Sequence, residues 1–363
     1  MIWKLSFRIF LKRFIFLFII LTLGSVVWLL IIYKEEIILG VKSKEFLQRF
    51  WKVAEQVEEW KALPSSTKIS PTPRPLPLCP FLTPFLRGGI NLKFDANLTL
   101  EQIEKKNTKV QRGMFAPEKC QPIQRIAILI PFRNRERHLL YLLEHLHPFL
   151  QRQLLDYGIY VIQQAGNDLF NRAKLFNVGF LEAMKERKWD CFIFHDVDLI
   201  PENDFNLYHC DYQPKHFVVG RNSTGYKLIY KFNFGGVTGM MTQQFMKVNG
   251  FSNRYWGWGG EDDDLLIRAW KQNMQLVRPA PQLGKYTMPF HKRDKGNEVN
   301  ENRWNLLKQV HKEWNKDGLN SCFYNLKAKE HLPLYINITV DVGGPNRNPQ
   351  VANENTSTVI NVI

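Results

Sequence analysis

Residues 191–198 read Cys-Phe-Ile-Phe-His-Asp-Val-Asp, a short apolar run that stops at two acids. The run has the length and composition of a buried strand, and Asp196 and Asp198 stand at its carboxyl end. Upstream, Arg125-Ile-Ala-Ile-Leu-Ile-Pro131 is a second such run, bounded by polar residues. Leu139 to Leu155 then carries apolar residues at helical spacing, Gly158 to Ile162 reads as a strand, and Ala173 to Lys185 as a second helix. Strands alternating with helices predict βαβ units, an α/β fold with a mostly parallel central sheet flanked by helices. In such sheets ligands collect beyond the carboxyl ends of the strands, where Asp196 and Asp198 lie.

An Asp-x-Asp at that place can offer hard oxygen ligands to a divalent cation beside a diphosphate. Two turn-forming acids closing a strand would look the same. Downstream, Trp256-Gly-Trp-Gly-Gly-Glu-Asp-Asp-Asp264 precedes an apolar helical run, Leu265 to Trp270. Carboxylates at a helix N-terminus complement its dipole, worth roughly 0.3–1 kcal/mol each. That accounts for two or three of the four acids. It leaves open why they follow glycines interleaved with tryptophans, where sugar stacking and a general base would both be useful. Met288-Pro-Phe-His291 is weaker, since imidazole suits manganese but a thioether is an uncommon partner for a hard metal.

Farther out, Phe14 to Tyr33 is an uncharged apolar run of 20 residues. At about 1.5 Å per residue it matches the roughly 30 Å hydrocarbon core. Lys4, Arg8, Lys12 and Arg13 precede it, whereas Lys34 is offset by Glu35 and Glu36. The charge bias predicts a cytosolic tail (1–13), a signal-anchor helix (14–33) and a lumenal remainder. The sequons at Asn97, Asn222, Asn337 and Asn355 agree with that topology. Residues 34–78 read as a stem with a Pro-rich spacer; seven prolines between Pro64 and Pro84 favour an extended chain. Residues 79–342 form the expected head, and the Asn- and Pro-rich stretch 343–363 an expected disordered tail. The formal charge is +15, yet no dense basic run interleaved with aromatics appears, so nucleic acid is excluded as a partner. Five cysteines leave at least one unpaired within the chain.

Six stretches occur in order: FRNRERHL (132–139), FNRAKLFNVGF (170–180), FHDVDLIPEND (194–204), FGGVTGM (234–240), NRYWGWGGEDDDL (253–265) and HKRDKGNE (291–298). Together they resemble the β-1,4-galactosyltransferases, glycosyltransferase family 7, from about Cys79 to Val342. The resemblance implies a GT-A type nucleotide-sugar-binding fold and a signal-anchored Golgi enzyme. It implies manganese held by Asp198, Met288 and His291. UDP-sugar contacts fall on Pro131, Phe132, Arg133, Arg135, Phe170, Arg172, Asp196, Val197 and Asp294, with Trp258 closing over the donor. Gly259, Gly260, Glu261 and Asp262 match acceptor-binding positions, Asp262 being the expected general base and Glu261 its catalytic neighbour. Arg303 and Trp304 match an Arg-aromatic pair around the acceptor's N-acetyl group. Disulfides are implied at Cys79–Cys120 and Cys191–Cys210, with Cys322 free. The implied reaction transfers galactose from UDP-galactose, with inversion, to the 4-hydroxyl of terminal GlcNAc on a glycoprotein or glycolipid.

Two positions depart from the pattern. Asn233 replaces a tyrosine that, in the vertebrate enzymes, is associated with excluding the N-acetyl group of UDP-GalNAc. A smaller amide there opens UDP-GalNAc as the main or an additional donor. Ser223, inside the Asn222 sequon, replaces an expected lysine. A catalytically silent, lectin-like relative is disfavoured by the intact Asp198, Met288, His291 and Asp262 set.

Overall fold

The computed structural model describes residues 76–292 and 294–349. The expected cytosolic tail, anchor and most of the stem lie outside these residues, as does Asn355 with the end of the tail. Among the described residues no helix is long and apolar enough to cross a membrane.

After Arg125, strand β2 (Arg125–Phe132) is buried along its whole length. Its side chains alternate: Ile126, Ile128 and Ile130 enter one hydrophobic cluster, while Ala127 and Leu129 enter the other. Helix α1 (Leu100–Lys106) and strand β1 (Met114–Phe115) precede it. Helix α2 (Glu136–Arg152) covers the first face with Leu139, Leu142, Leu146 and Phe149. Helix α3 (Arg172–Glu186), which follows β3 (Asp156–Gln164), covers the opposite face with Ala173, Phe176 and Phe180. Two helical layers thus enclose strands that are apolar throughout, the signature of a doubly covered sheet.

Strand β4 (Cys191–His195) completes the parallel centre, β3–β2–β4. Short strands follow: β5 (Ile200–Pro201), β6 (Lys215–His216), β7 (Gly220–Arg221) and β8 (Val237–Met241). Helices α4 (Thr242–Lys247) and α5 (Glu261–Lys271), strand β9 (Lys285–Thr287), helix α6 (Arg303–Glu313) and strands β10 (Asn325–His331) and β11 (Ile336–Asp341) complete the order. The main sheet runs β10-β11-β3-β2-β4-β8-β6, with β1 beside β3.

The sheet is mixed rather than mostly parallel, which corrects the reading from sequence. Pairings β11–β3, β3–β2 and β2–β4 are parallel; β10–β11, β1–β3, β4–β8 and β6–β8 are antiparallel. The central βαβ pattern is visible in sequence, whereas the antiparallel margins have no helical crossover to announce them. A second, three-stranded sheet, β5-β9-β7, stands at the carboxyl end of β4 and leads directly into Met288.

Disulfides join Cys79 to Cys120 and Cys191 to Cys210, and Cys322 is free, as the resemblance implied. The folded chain runs past Val342: Arg347 ion-pairs with Asp168 and Asp341, so the first residues of the expected tail belong to the head.

Candidate active site

A cavity of about 1000 Å³ opens beyond the carboxyl end of β4. The strand fixes its floor. His195 is fully buried, with Nε2 3.1 Å from the Tyr208 hydroxyl and Nδ1 2.8 Å from the Asp196 carbonyl. Burial pushes its pKa down to about 4, so it sits there neutral. The Asp196 carboxylate accepts from Arg172 Nε at 2.6 Å, at the first turn of α3, and Arg172 Nη1 reaches Glu261 Oε1 at 3.2 Å. One arginine therefore ties the strand end to the start of α5.

Asp198, Met288 and His291 line the cavity. His291 Nε2 is 2.7 Å from Asp198 Oδ2. Burial would raise the Asp198 carboxyl, but the hydrogen bond and charge of His291, with Arg135, hold it below the ordinary range. His291 Nδ1 is 2.9 Å from the Lys292 carbonyl. Facing a carboxylate, Nε2–H donates to Asp198, and loss of that proton would free the Nε2 lone pair for a cation beside the carboxylate. Carboxylate, imidazole and thioether lining one cavity form a donor set that fits a divalent cation. Arg135 braces the group, donating through Nε to Asp294 Oδ2 at 2.7 Å, with Nη2 2.8 Å from His291 Nδ1.

Helix α5 supplies another part of the wall. Its first turn holds all four acids, and they divide by role. Asp264 is buried, paired with Arg268 at 2.5 Å, and accepts the Tyr255 hydroxyl at 3.0 Å, so it serves the fold. Asp263 accepts the Tyr230 hydroxyl at 2.7 Å. Glu261, Asp262 and Asp263 all line the cavity, but the Asp263 carboxylate is already engaged by Tyr230. Burial, then the charge of Asp262, push Glu261 up to about 7, and its Oε2 is buried without a hydrogen-bond partner. A carboxyl in that state is poised to engage a hydroxyl brought in from outside.

The glycines of the Trp256–Gly260 loop have structural reasons. Gly257 has φ +81° and a side chain there would meet the Glu298 carbonyl at 2.5 Å; Gly260 has φ +96° and faces Tyr255 and Arg303. The loop is laced to the next segment by Trp258 N–H to Glu298 O (2.8 Å) and Asn300 N–H to Trp258 O (3.0 Å). Trp258 and Gly259 line the cavity with Arg303 and Trp304, whose guanidinium lies 5.2 Å from its neighbour's ring centre.

Of the other residues expected at the site, Pro131, Arg133, Phe170, Val197 and Asn233 also line the cavity. Phe132 does not. It is 6 % exposed and packs in the cluster with Ile126, Ile128 and Ile130, because successive strand residues point to opposite faces. Ser223 is exposed and outside the lining, while the Asn222 amide is bound to the Met288 backbone, accepting its N–H at 2.9 Å and donating to its carbonyl at 3.3 Å. Asn97 is exposed, and Asn337 on β11 donates to Glu330. Reading by motif missed Tyr230 and Arg221, which also line the cavity; Arg221 Nη1 is 3.9 Å from Met288 Sδ. Neither sits in a spacing that signals chemistry.

An α/β sheet with paired acids at a strand end and an acid-headed helix on the same cavity is an arrangement that suits a sugar-transferring enzyme of GT-A-like fold. The comparisons agree. Residues 79–211 match the N-terminal region of glycosyl transferase group 7, and residues 215–292 match the N-terminal domain of galactosyltransferase. Human beta-1,4-galactosyltransferase 4 is 61 % identical over 300 residues, covering 83 % of this chain and 86 % of that one. Human beta-1,4-galactosyltransferase 3 is 49 % identical over 290 residues, covering 79 % and 74 %. The catalytic domain of Drosophila beta1,4-galactosyltransferase 7, crystallised with xylobiose, superposes with a TM-score of 0.53 at 28 % identity, over 61 % of this chain and 94 % of that one. A mutant of the same enzyme, in complex with manganese, UDP-Gal and xylobiose, has a TM-score of 0.52. The chain belongs to the β-1,4-galactosyltransferase family, glycosyltransferase group 7.

Proposed function

We propose that this chain transfers galactose from UDP-galactose to the 4-hydroxyl of a terminal GlcNAc, forming a β-1,4 linkage with inversion. The observation that carries the reading is one cavity lined both by Asp198, Met288 and His291 and by Glu261 and Asp262. The relatives named beta-1,4-galactosyltransferase and the manganese- and UDP-Gal-bound structure support it. Manganese would be held by Asp198, Met288 and His291 and, when bound, neutralises charge on the diphosphate leaving group. Arg133 and Arg135 add fixed positive charge beside it. Asp262 accepts the proton of the acceptor 4-hydroxyl as that oxygen bonds to the anomeric carbon and the bond from that carbon to the UDP oxygen breaks. Glu261 orients the acceptor through its unpartnered oxygen. Arg303 and Trp304 flank the N-acetyl group, and Trp258 shields the reacting centre from water. The apolar run 14–33 and its flanking charges support a membrane-anchored enzyme with a lumenal head, which we assign to the Golgi, acting on glycoprotein or glycolipid glycans.

A second donor reading rests on Asn233. Its backbone carbonyl is held by Arg278 Nη2 at 2.7 Å, its N–H donates to the Tyr230 carbonyl at 3.0 Å, and both residues line the cavity. An amide there takes less room than a tyrosine, which favours UDP-GalNAc as a further substrate. A panel of UDP-Gal, UDP-GalNAc and UDP-GlcNAc, offered with a GlcNAc acceptor and with manganese or chelator, tests both. Galactose transfer that chelator abolishes supports the first reading, and dominant GalNAc transfer, reversed by Asn233→Tyr, replaces it with the second. Folded protein that transfers from no donor refutes both.

A further inference from the structure

The residues just after the last strand make contacts that nothing in the active-site reading uses. Gly344, Pro345, Asn346 and Arg347 form a tight turn, closed by Gly344 N–H to Arg347 O at 2.8 Å and Arg347 N–H to Gly344 O at 3.2 Å. The Arg347 guanidinium lies between two carboxylates from distant parts of the chain. It donates to Asp341 through Nη1 (3.0 Å, Oδ2) and Nη2 (2.8 Å, Oδ1), and to Asp168 Oδ2 through Nε (3.1 Å) and Nη2 (2.6 Å). Without it two like charges would face each other. At Gly344 any side chain would meet Asp168 Oδ1 at 2.5 Å, so the turn is shaped to seat that aspartate.

Asp168 belongs to the loop joining β3 to α3, and its backbone reaches the cavity. Its carbonyl accepts from Arg133 Nη1 at 2.6 Å, while Arg133 Nη2 donates to the Gly296 carbonyl at 3.0 Å. Two residues on, Phe170 packs its ring 5.0 Å from the Arg133 guanidinium. The Phe170 N–H donates to Gly296 O at 2.7 Å, and its carbonyl accepts the Gly257 N–H at 2.8 Å, next to Trp258.

We infer that Arg347 is a positioning residue for donor binding: by clamping Asp168 it sets where Arg133, Phe170 and the Trp258 loop stand. The inference rests on the UDP-sugar chemistry proposed above. A merely structural role, pinning the C-terminal turn, would predict a general loss of stability and no preference between substrates. A positioning role predicts a loss at the donor and its leaving group that spares the acceptor.

The test compares the full-length chain with R347A, R347K and a version ending at Val342. It measures KM for UDP-Gal, KM for the GlcNAc acceptor, kcat, melting temperature, and the Kd of UDP with manganese by calorimetry. R347A and the truncation are expected to raise donor KM and UDP Kd about tenfold, the scale of a binding group displaced by a fraction of an ångström. Acceptor KM stays within about twofold because Asp262 and Arg303 are untouched, whereas kcat falls along with donor affinity, since Arg133 also stands beside the leaving group. R347K remains defective, since an ammonium lacks the planar fork that spans both carboxylates. The double variant D168N/R347A is no worse than R347A, because both remove one interaction. Donor KM and UDP Kd unchanged in R347A overturn the inference. So does a parallel loss in every constant together with a lowered melting temperature. If the unaltered chain neither binds UDP nor transfers, the galactosyltransferase reading has failed and takes this inference with it. If it does both, a negative result belongs to Arg347 alone.

Discussion

Gly235→Ala tests whether the position of the Asp262 carboxylate sets the rate. A Cβ at Gly235 would overlap Asp262 Oδ2 and stand 3.2 Å from its Cγ. The backbone there is not left-handed, so the added methyl acts through space alone. Nor is the loop free to retreat. The Gly235 carbonyl accepts from His216 Nε2 at 2.8 Å, His216 Nδ1 accepts from Arg278 Nε at 3.0 Å, and Arg278 Nη2 holds the carbonyls of Lys231 and Asn233. His216 is fully buried and burial pushes its pKa down to about 3, so it stays neutral, as this pairing requires. The carboxylate must therefore give way, by on the order of 1 Å to reach ordinary contact. A displacement of that size at a reacting group costs up to about a hundredfold in rate, or about 2.7 kcal/mol in the barrier. With both substrates saturating, kcat is expected to fall by that factor while the Kd for UDP with manganese is unchanged. Gly89→Ala, where a Cβ meets nothing within 4 Å, is the control. A Gly235→Ala enzyme whose kcat stays within about threefold of the original would refute the reasoning, because the base would then tolerate a shift that geometry says it cannot.

Other perturbations separate the remaining roles. Asp262→Asn keeps shape and hydrogen bonding but removes the base, so kcat drops at least about a hundredfold with UDP affinity retained; near-normal turnover would take Asp262 out of the role. Glu261, pushed up to about 7 from an ordinary 4.5 by burial and Asp262, holds a proton when folded that the unfolded chain has released. Its contribution to stability is complete below pH 4.5 and is lost as pH rises through about 7. The melting temperature of Glu261→Gln minus that of the original should thus increase from pH 5 to pH 8, and a flat difference would contradict the assignment. His291→Ala should raise the manganese concentration needed for half-maximal transfer about tenfold or more, read by titrating metal into chelator-stripped enzyme; an unchanged requirement would place the metal elsewhere.

What could be read from the chain follows from which interactions are local. Strands β2 and β4 announce themselves because both of their faces are covered, which forces continuous apolar runs. Strands β5, β6 and β7, two residues each, carry no period, so the three-stranded sheet that delivers Met288 could not be foreseen. The motif residues were legible as chemistry but not as neighbours. Asp264 and Arg268 stand four apart on one helix, a pairing that spacing foretells, whereas Arg172 reaches Glu261 only through the fold. Phe132 shows the narrowest margin: one step along a strand separates a cavity wall at Pro131 from a core side chain, and a motif match does not distinguish them.

The same logic bears on donor choice. Asn233 stands where a tyrosine was expected, yet Tyr230, three residues earlier, presents its own hydroxyl to Asp263 at 2.7 Å, and its carbonyl accepts the Asn233 N–H at 3.0 Å. The phenol lost at 233 therefore has a counterpart on the same loop, held by a carboxylate and lining the same cavity. Discrimination against an N-acetyl group then depends on the space enclosed by both residues, not on residue 233 alone. Enlarging 233 in the presence of Tyr230 and enlarging it in a Tyr230→Ala background should give different donor ratios. Two changes that share one wall couple, whereas two independent determinants would simply add.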